Sequence, residues 1–190
     1  MFALDRITLL AHAYLDMVLQ DGDTVVDATT GNGHDTLYLA QKVGSQGKVY
    51  AFDIQGNALA HTASLLDEGK LSNRVTLINE SHSSISKHVK GPLAAAVYNL
   101  GYLPGGDHSI VTTAQTTCES IKQALVLLKP GGLITITLYP GHPEGRREKE
   151  KLISFCENLS PSKYTALHTE RLNRQTMPPE LLIIQKSIFK

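Results

Sequence analysis

The chain has 190 residues, 42% of them hydrophobic, which is enough apolar material for one domain (1–190) without disulfides. Lysine and arginine total 18, as do aspartate and glutamate, so net charge alone predicts no strong non-specific binding to nucleic acid. The two cysteines lack metal-ligand spacing, and no apolar run is long enough to span a bilayer. We therefore expect no metal site, no membrane segment, and a cytoplasmic protein with inert thiols.

The first predicted element is an amphipathic helix within residues 1–20, because apolar residues recur at helical spacing from Ile7 to Val18. Beyond it, short apolar strands alternate with helices. Strands are predicted at 24–28, 48–52, 75–78, 93–98 and 133–139, and helices at 35–43, 57–68, 112–128 and 148–158. Residues 129–132 (Lys-Pro-Gly-Gly) are expected to separate the third of these helices from the following strand. This alternation predicts a mostly parallel sheet with right-handed crossovers.

The C-terminal part has a different pattern. Residues 164–170 and 181–188 are both predicted to be strands, and Pro178-Pro179 excludes a helix between them. We expect these two strands to pair antiparallel at one end of the sheet. The predicted fold class is therefore α/β and Rossmann-like, with a mostly parallel seven-stranded sheet and a C-terminal antiparallel hairpin.

The most informative stretch, Val25 to Thr36, lies where the first strand turns into a helix. Open α/β sheets bind ligands at the carboxyl ends of their strands, so this is the expected place for a cofactor. Gly31 and Gly33 permit positive φ and a close approach of the backbone to a ligand. Asp53 ends the second strand 22 residues beyond Gly31, a separation that suits a carboxylate bonded to both hydroxyls of a ribose.

The residues around this turn favour S-adenosylmethionine over NAD. A dinucleotide site usually has a third glycine at the position that Thr36 occupies here. Asp35, in the first turn of the helix, would repel a pyrophosphate, whereas Asp27 and Asp35 are compatible with the sulfonium and ammonium groups of the methyl donor. An NAD-dependent oxidoreductase and a non-catalytic nucleotide-binding module stay open as alternatives.

The pattern from Val25 to Thr36 resembles the first motif of class I methyltransferases. More narrowly, the chain is similar to a bacterial family labelled rRNA methylases. That family includes enzymes that methylate the aminomethyl group of 5-aminomethyl-2-thiouridine at the tRNA wobble position. The resemblance covers nearly the whole chain, and its motifs are Leu9–His12, the glycine turn, Phe52–Gln55, Asn79–His82 and Asn99–Asp107. The last of these is the most distinctive, because class I enzymes in general do not share it.

Placement along the chain and the resemblance together suggest a set of cofactor-binding residues. Asn32 and Gly33 are expected at the methionine end with Asp27 below them, and Gln55 beside the adenosine. Ser81 and His82, after the third strand, resemble the family's contacts on the adenine side. The predicted set is Asp27, Thr29, Gly31, Asn32, Gly33, Asp35, Asp53, Gln55, Ser81 and His82.

The methyl acceptor is expected beyond the fourth strand, at Asn99. Its side chain offers an amide donor and a carbonyl acceptor that can orient an amine or a base edge. Tyr102 is a candidate for stacking on a flipped base. An alkylamine must lose a proton before it attacks, and Asp107 and His108 are candidates for accepting it.

Two further segments are candidates for contact with RNA. One follows the fifth strand and contains Tyr139, His142, Arg146 and Arg147, and the other contains Arg174 in the tail. Arginine side chains there could bind phosphate. The resemblance implies an RNA methyltransferase that acts on the anticodon stem-loop of tRNA. An rRNA or small-molecule acceptor stays open, as does a homodimer.

Overall fold

The computed structural model describes residues 4–100, 113–174 and 176–188, and its strands all lie in one sheet. In chain order the strands are β1 (Thr24–Asp27), β2 (Lys48–Phe52), β3 (Val75–Ile78), β4 (Leu93–Asn99), β5 (Leu128–Leu138), β6 (Tyr164–Thr169) and β7 (Glu180–Lys186). Across the sheet their order is β3-β2-β1-β4-β5-β7-β6. The first five strands are parallel, and β7 pairs antiparallel with both β5 and β6. The predicted fold class and its C-terminal antiparallel hairpin are confirmed.

Helices cover both faces of the sheet. They are α1 (Ile7–Asp16), α2 (His34–Lys42), α3 (Gly56–Glu68), α4 (Ile85–His88), α5 (Ala114–Leu127) and α6 (Pro143–Glu157). Buried side chains of α1, α2 and α3 pack with Val25 and Val49 on one face, and those of α4, α5 and α6 pack with Val26 and Phe52 on the other. Successive residues of a strand point to opposite faces, so β1 and β2 are apolar on both sides, as interior parallel strands are.

The structure differs from the sequence prediction by more than two residues at two element boundaries, the starts of β5 and α6. Residues 129–132, predicted to be a separate turn, belong to β5, which begins at Leu128 and continues through Gly131 at a φ of +78°. The pairing with β4 shifts register there, so the irregularity lies within a strand and does not end one. Helix α6 begins at Pro143, five residues before the predicted Glu148. Its first turn is closed by the side chain of His142, which accepts a hydrogen bond from the Gly145 backbone N–H at 3.1 Å.

Two short 3₁₀ turns, Ser72–Arg74 and His82–Ser84, and the four-residue helix α4 were not predicted. Each spans about one turn, which is too short to show a hydrophobic period. Among the helices within the described ranges, none is long and apolar enough to cross a membrane.

Candidate active site

The carboxyl ends of neighbouring parallel strands open into a cavity of about 810 Å³. β2, β1 and β4 are adjacent and parallel, so the residues that follow them meet at the same edge of the sheet. Ala28, Asp53 and Asn99, at or just beyond these three strand ends, line the cavity. This is where open α/β sheets bind their ligands, and small-molecule sites usually enclose roughly 300–1,000 Å³.

The turn between β1 and α2 has the geometry that its glycines predict. Gly31 and Gly33 have φ angles of +51° and +79°, in the left-handed region that side chains disfavour. A Cβ atom added to Gly33 would lie 2.6 Å from Oγ1 of Thr62 in α3. Gly31 lines the cavity, whereas Gly33 is absent from its lining. The second glycine therefore allows α3 to pack closely against the turn.

Asp53, the first residue beyond β2, is held in place by the backbone. Its Oδ2 accepts the Gly31 N–H at 2.8 Å, and its Oδ1 accepts the Gln55 N–H at 2.9 Å. An ionised carboxylate offers about four acceptor positions, so about two remain for a ligand. Asp53 and Gln55 both line the cavity. The remaining positions suit two adjacent hydroxyl groups, such as those of a ribose.

Asp27 lies beneath the turn and supports it. Its side chain is fully buried, with Oδ2 accepting from the Thr36 hydroxyl at 2.6 Å and Oδ1 from the Thr29 N–H at 3.1 Å. Burial, followed by the nearby charge of Asp35, raises the pKa of Asp27 to about 7. Asp27 does not line the cavity. Its position therefore suits support of the turn and not direct contact with a ligand.

His82 presents a buried acceptor to the cavity. Its ring is 8% exposed, and Nδ1 lies 3.1 Å from the Ala28 carbonyl, which can only accept, so Nδ1 carries the proton. Burial lowers the pKa of His82 and keeps the ring neutral, which leaves a lone pair on Nε2. Among the described residues, Nε2 has no hydrogen-bond partner. Since buried polar atoms are usually satisfied, an N–H donor on a ligand, such as the amino group of adenine, fits here.

At the carboxyl end of β4, three side chains form a hydrogen-bonded row. The Tyr139 hydroxyl donates to Asn99 Oδ1 at 2.8 Å, and Asn99 Nδ2 donates to Asp35 Oδ2 at 3.4 Å. Burial, together with the charge of Asp35, raises the pKa of Tyr139, so its hydroxyl stays a donor. The backbone of Asn99 is fixed too, because its N–H donates to Thr29 Oγ1 at 2.7 Å.

The cavity is acidic. The described residues that line it include the carboxylates Asp35, Asp53 and Glu80, and they include no lysine or arginine. Such a wall favours a cationic ligand and disfavours a pyrophosphate, which would meet carboxylates with no compensating cation. Of the two aspartates in the sequence-based charge argument, Asp35 lines the cavity and Asp27 does not, while Asp53 and Glu80 add negative charge to the described lining.

The other predicted site residues fall into several groups. The cavity lining includes five more of the predicted residues, which are Thr29, Asn32, Ser81, Tyr139 and His142. Arg146 lines a second, smaller cavity of about 310 Å³, which shares Met177 with the first. Arg147 and Arg174 are exposed and line neither cavity. Tyr102, Asp107 and His108 lie outside the described residues.

Some residues at the site were not predicted. Glu80 and Met177 line the cavity, and His12 of α1 lies 2.7 Å from Asp35. His12 and Glu80 lie within two of the family motifs, so the resemblance could have indicated both residues. Nothing in the local pattern marks Met177, since its place depends on how the chain reaches β7.

The described residues contain no group of three or more histidine, cysteine, aspartate or glutamate side chains arranged to hold a metal ion. Cys118 and Cys156 are both free thiols. Burial raises the pKa of Cys156 to about 11, so this thiol is protonated and unreactive at neutral pH.

Comparison with known proteins identifies close relatives. A family model described as "Putative rRNA methylase" matches residues 49–185. An Arabidopsis thaliana protein named "tRNA (mnm(5)s(2)U34)-methyltransferase, chloroplastic" is 42% identical over 188 residues, which is 94% of this chain and 69% of the relative.

Two solved structures are similar over nearly their whole length. A "putative rRNA-methylase" from Clostridium thermocellum has a TM-score of 0.94 and 42% identity, covering 97% of this chain and 99% of that one. A "putative methyltransferase" from Streptococcus mutans, solved in complex with SAH, has a TM-score of 0.88 and 36% identity, with the same two coverages.

Proposed function

Because this chain belongs to the rRNA methylase family, we propose that it is an S-adenosylmethionine-dependent methyltransferase that acts on tRNA. The proposed acceptor is the aminomethyl group of 5-aminomethyl-(2-thio)uridine at the wobble position of the anticodon stem-loop. The family predicted from the sequence is confirmed by the match over residues 49–185. The name of the Arabidopsis relative supports the choice of acceptor, and the SAH bound by the Streptococcus mutans relative supports the choice of cofactor.

The observation that carries this proposal is the charge of the cavity. Its described lining holds three carboxylates and no lysine or arginine. NAD would bring two phosphates to this wall, whereas S-adenosylmethionine brings a sulfonium and an ammonium and no phosphate. The residues present therefore fit the methyl donor.

Each part of the cofactor has candidate partners. Asp53 would hold the ribose, because its carboxylate has about two free acceptor positions beside its two backbone partners, and Gln55 would lie beside the adenosine. Ser81 and His82 Nε2, which has no hydrogen-bond partner within the described part of the chain, would contact the adenine. Gly31 and Asn32 would line the methionine end. When bound, S-adenosylmethionine supplies a methyl group activated by a positively charged sulfur.

The chain's own contribution is mainly alignment and exclusion of water. Tyr139 fixes the amide of Asn99 through Oδ1, and one N–H of Nδ2 donates to Asp35, so the second N–H and the second lone pair of Oδ1 stay available to orient an amine. Met177 and Pro179 add apolar surface to the same wall. Asp107 and His108, outside the described residues, stay predicted candidates for accepting the proton of the amine.

Contact with the RNA is proposed to involve the surface beside the cavity. Tyr139 and His142 line the cavity itself, and Arg146 lines the smaller cavity next to it. Arg147 and Arg174 are exposed and could bind phosphate of the stem-loop. Stacking of a base on Tyr102 stays a prediction, as do the cytoplasmic location and a homodimer.

Mass spectrometry of nucleosides tests the proposed function. The purified chain is incubated with S-adenosylmethionine and anticodon stem-loops that carry 5-aminomethyl-2-thiouridine, 5-aminomethyluridine or uridine at the wobble position, with rRNA as a parallel substrate. We expect methylation of the aminomethyl nucleosides and none of the uridine stem-loop. If only rRNA is methylated, the proposed tRNA acceptor is wrong. If calorimetry shows that NAD binds more tightly than SAH, the proposed cofactor is wrong.

A further inference from the structure

Helix α1 reaches the edge of the cavity through one side chain. His12 Nε2 lies 2.7 Å from Asp35 Oδ1, and the two side chains are 20% and 15% exposed. A carboxylate oxygen accepts, so His12 Nε2–H is the donor. Asp35 lines the cavity, whereas His12 is not among the described residues that line it. The contact joins two residues 23 positions apart, from α1 and α2.

His12 is itself held rigidly. Its ring stacks on the ring of Tyr38 with a centroid distance of 3.6 Å and an angle of 2° between the planes. The single Tyr38 O–H is shared between two acceptors, Asp16 Oδ1 at 2.8 Å and the His12 backbone carbonyl at 3.0 Å. Lys42 pairs with the same Asp16 oxygen at 2.6 Å. The histidine can therefore hardly rotate away from Asp35.

Packing of α1 does not require this arrangement. The helix is anchored on the sheet by Ile7, Ala11 and Leu15, all of which are buried in the core. His12 lies on a different part of the helix surface and directs its ring to a carboxylate. Enzymes orient a reacting group through neighbouring side chains that are themselves fixed by packing and hydrogen bonds. His12 is fixed by stacking on one side and donates to a carboxylate of the site on the other.

Asp35 is fixed from both sides. His12 holds Oδ1, and Asn99 Nδ2, itself oriented by Tyr139, lies 3.4 Å from Oδ2. Asp35 therefore belongs with the end of β4, where the acceptor is proposed to bind, and not with the ribose end at Asp53. An ammonium that enters beside Asn99 would meet an oriented carboxylate there.

We infer that His12 is a positioning residue that holds Asp35 so that its carboxylate pairs with the ammonium of the acceptor nucleoside and takes its proton. This inference rests on the proposed function. One N–H bond of the ammonium breaks and an O–H bond forms on Asp35. The freed nitrogen lone pair forms the new N–C bond while the S–CH₃ bond breaks and leaves its electron pair on sulfur. The product is a secondary ammonium, and Asp35 then releases its proton to solvent.

The test compares binding of two stem-loops, with 5-aminomethyluridine or uridine at the wobble position, in the presence of SAH. The variants are His12→Phe, which keeps a ring to stack on Tyr38 and removes the donor, and His12→Gln, which restores an N–H. His61→Phe, on the exposed face of α3, is the matched control. We expect the wild type and the control to prefer the aminomethyl stem-loop by about 10-fold or more, in keeping with a charge-assisted hydrogen bond.

In His12→Phe the preference should fall to within about 2-fold of unity and kcat should fall with it, while His12→Gln recovers part of both. Affinity for SAH should stay unchanged in all variants. An unchanged preference in His12→Phe overturns the inference. So does a loss of SAH affinity that matches the loss of kcat, because Asp35 would then serve the cofactor.

Tyr38→Phe gives an independent measurement if His12→Phe fails to fold. It keeps the ring stack and removes only the hydroxyl that holds Asp16 and the His12 carbonyl. We expect a smaller loss of the same preference, and no loss would count against the inference. Failure of the wild type to methylate the aminomethyl stem-loop would instead reject the proposed function, so the two failures are distinguishable.

Discussion

The substitution Asp53→Ala tests two roles of one carboxylate. One is the proposed contact with the ribose, and the other is the pair of hydrogen bonds from the backbone. Asp53 accepts the N–H groups of Gly31 and Gln55, which occupy about two of its four acceptor positions. If two ribose hydroxyls use the others, their loss should weaken binding by about 1–3 kcal/mol, or about 5- to 150-fold. The freed Gly31 and Gln55 donors should also lower the stability of the ligand-free protein by about 1–2 kcal/mol, or roughly 2–8 °C in Tm.

Calorimetry with SAH and with its 2′-deoxy analogue measures the binding effect of Asp53→Ala, and thermal unfolding measures the stability effect. Wild-type protein should bind SAH more tightly than the deoxy analogue, and Asp53→Ala should lose most of that difference. Asp67→Ala is the control, because this carboxylate lies on α3 outside the cavity and bonds to Ser72. An Asp53→Ala protein that still discriminates between the two ligands as the wild type does would refute the ribose assignment.

Three other substitutions test separate parts of the site. Gly33→Ala should destabilise the fold by about 2–4 kcal/mol, because φ is +79° and the added Cβ would lie 2.6 Å from Thr62 Oγ1. Gly91→Ala is the control, because a Cβ at Gly91 would have no neighbour within 4 Å. Equal Tm values for the two variants would contradict the expected destabilisation. Asn99→Ala should lower kcat by about 100-fold or more in the nucleoside assay and leave SAH affinity within about 2-fold, because Asn99 is proposed to orient the acceptor. Retained turnover would show that Asn99 is structural. Asp27→Asn should remove a pH dependence of stability. The folded carboxyl has a pKa of about 7 and the unfolded one about 3.8, so wild-type stability falls as pH rises between these values, by about 2 kcal/mol from pH 5 to 7. Urea unfolding across that range checks this, and parallel curves for the two proteins would show that Asp27 is ionised when folded.

The sequence predicted the strands well because buried parallel strands are short and apolar and end at turn residues. β2 and β3 have the predicted bounds, and the antiparallel hairpin follows from two prolines between two strand patterns. The prediction was less accurate at β5, where Pro130 and two glycines suggested a turn but the chain continues in the strand. Local composition cannot show that a neighbouring strand accommodates a register shift.

The cofactor side of the site is also visible in the sequence. Gly31 and Asp53 lie at consecutive strand ends, and parallel strands bring consecutive ends to one edge, so the hydrogen bond between them follows from the order of elements. The acceptor side is different. Asn99 lies 64 residues from Asp35, and their 3.4 Å contact depends on the distance between β4 and α2. Spacing along the chain therefore could not predict this contact.

The amino-acid sequence by itself determined the α/β fold, the glycine turn and the placement of Asp35 and Asp53 at one edge of the sheet, because each depends on backbone preferences or on spacing along the chain. Only the tertiary structure decided that His12 meets Asp35, that Gly33 serves helix packing, and that the described cavity lining holds no lysine or arginine. These facts depend on how helices pack on the sheet and on which charges that packing leaves at one edge. A balanced net charge is compatible with any distribution of those charges.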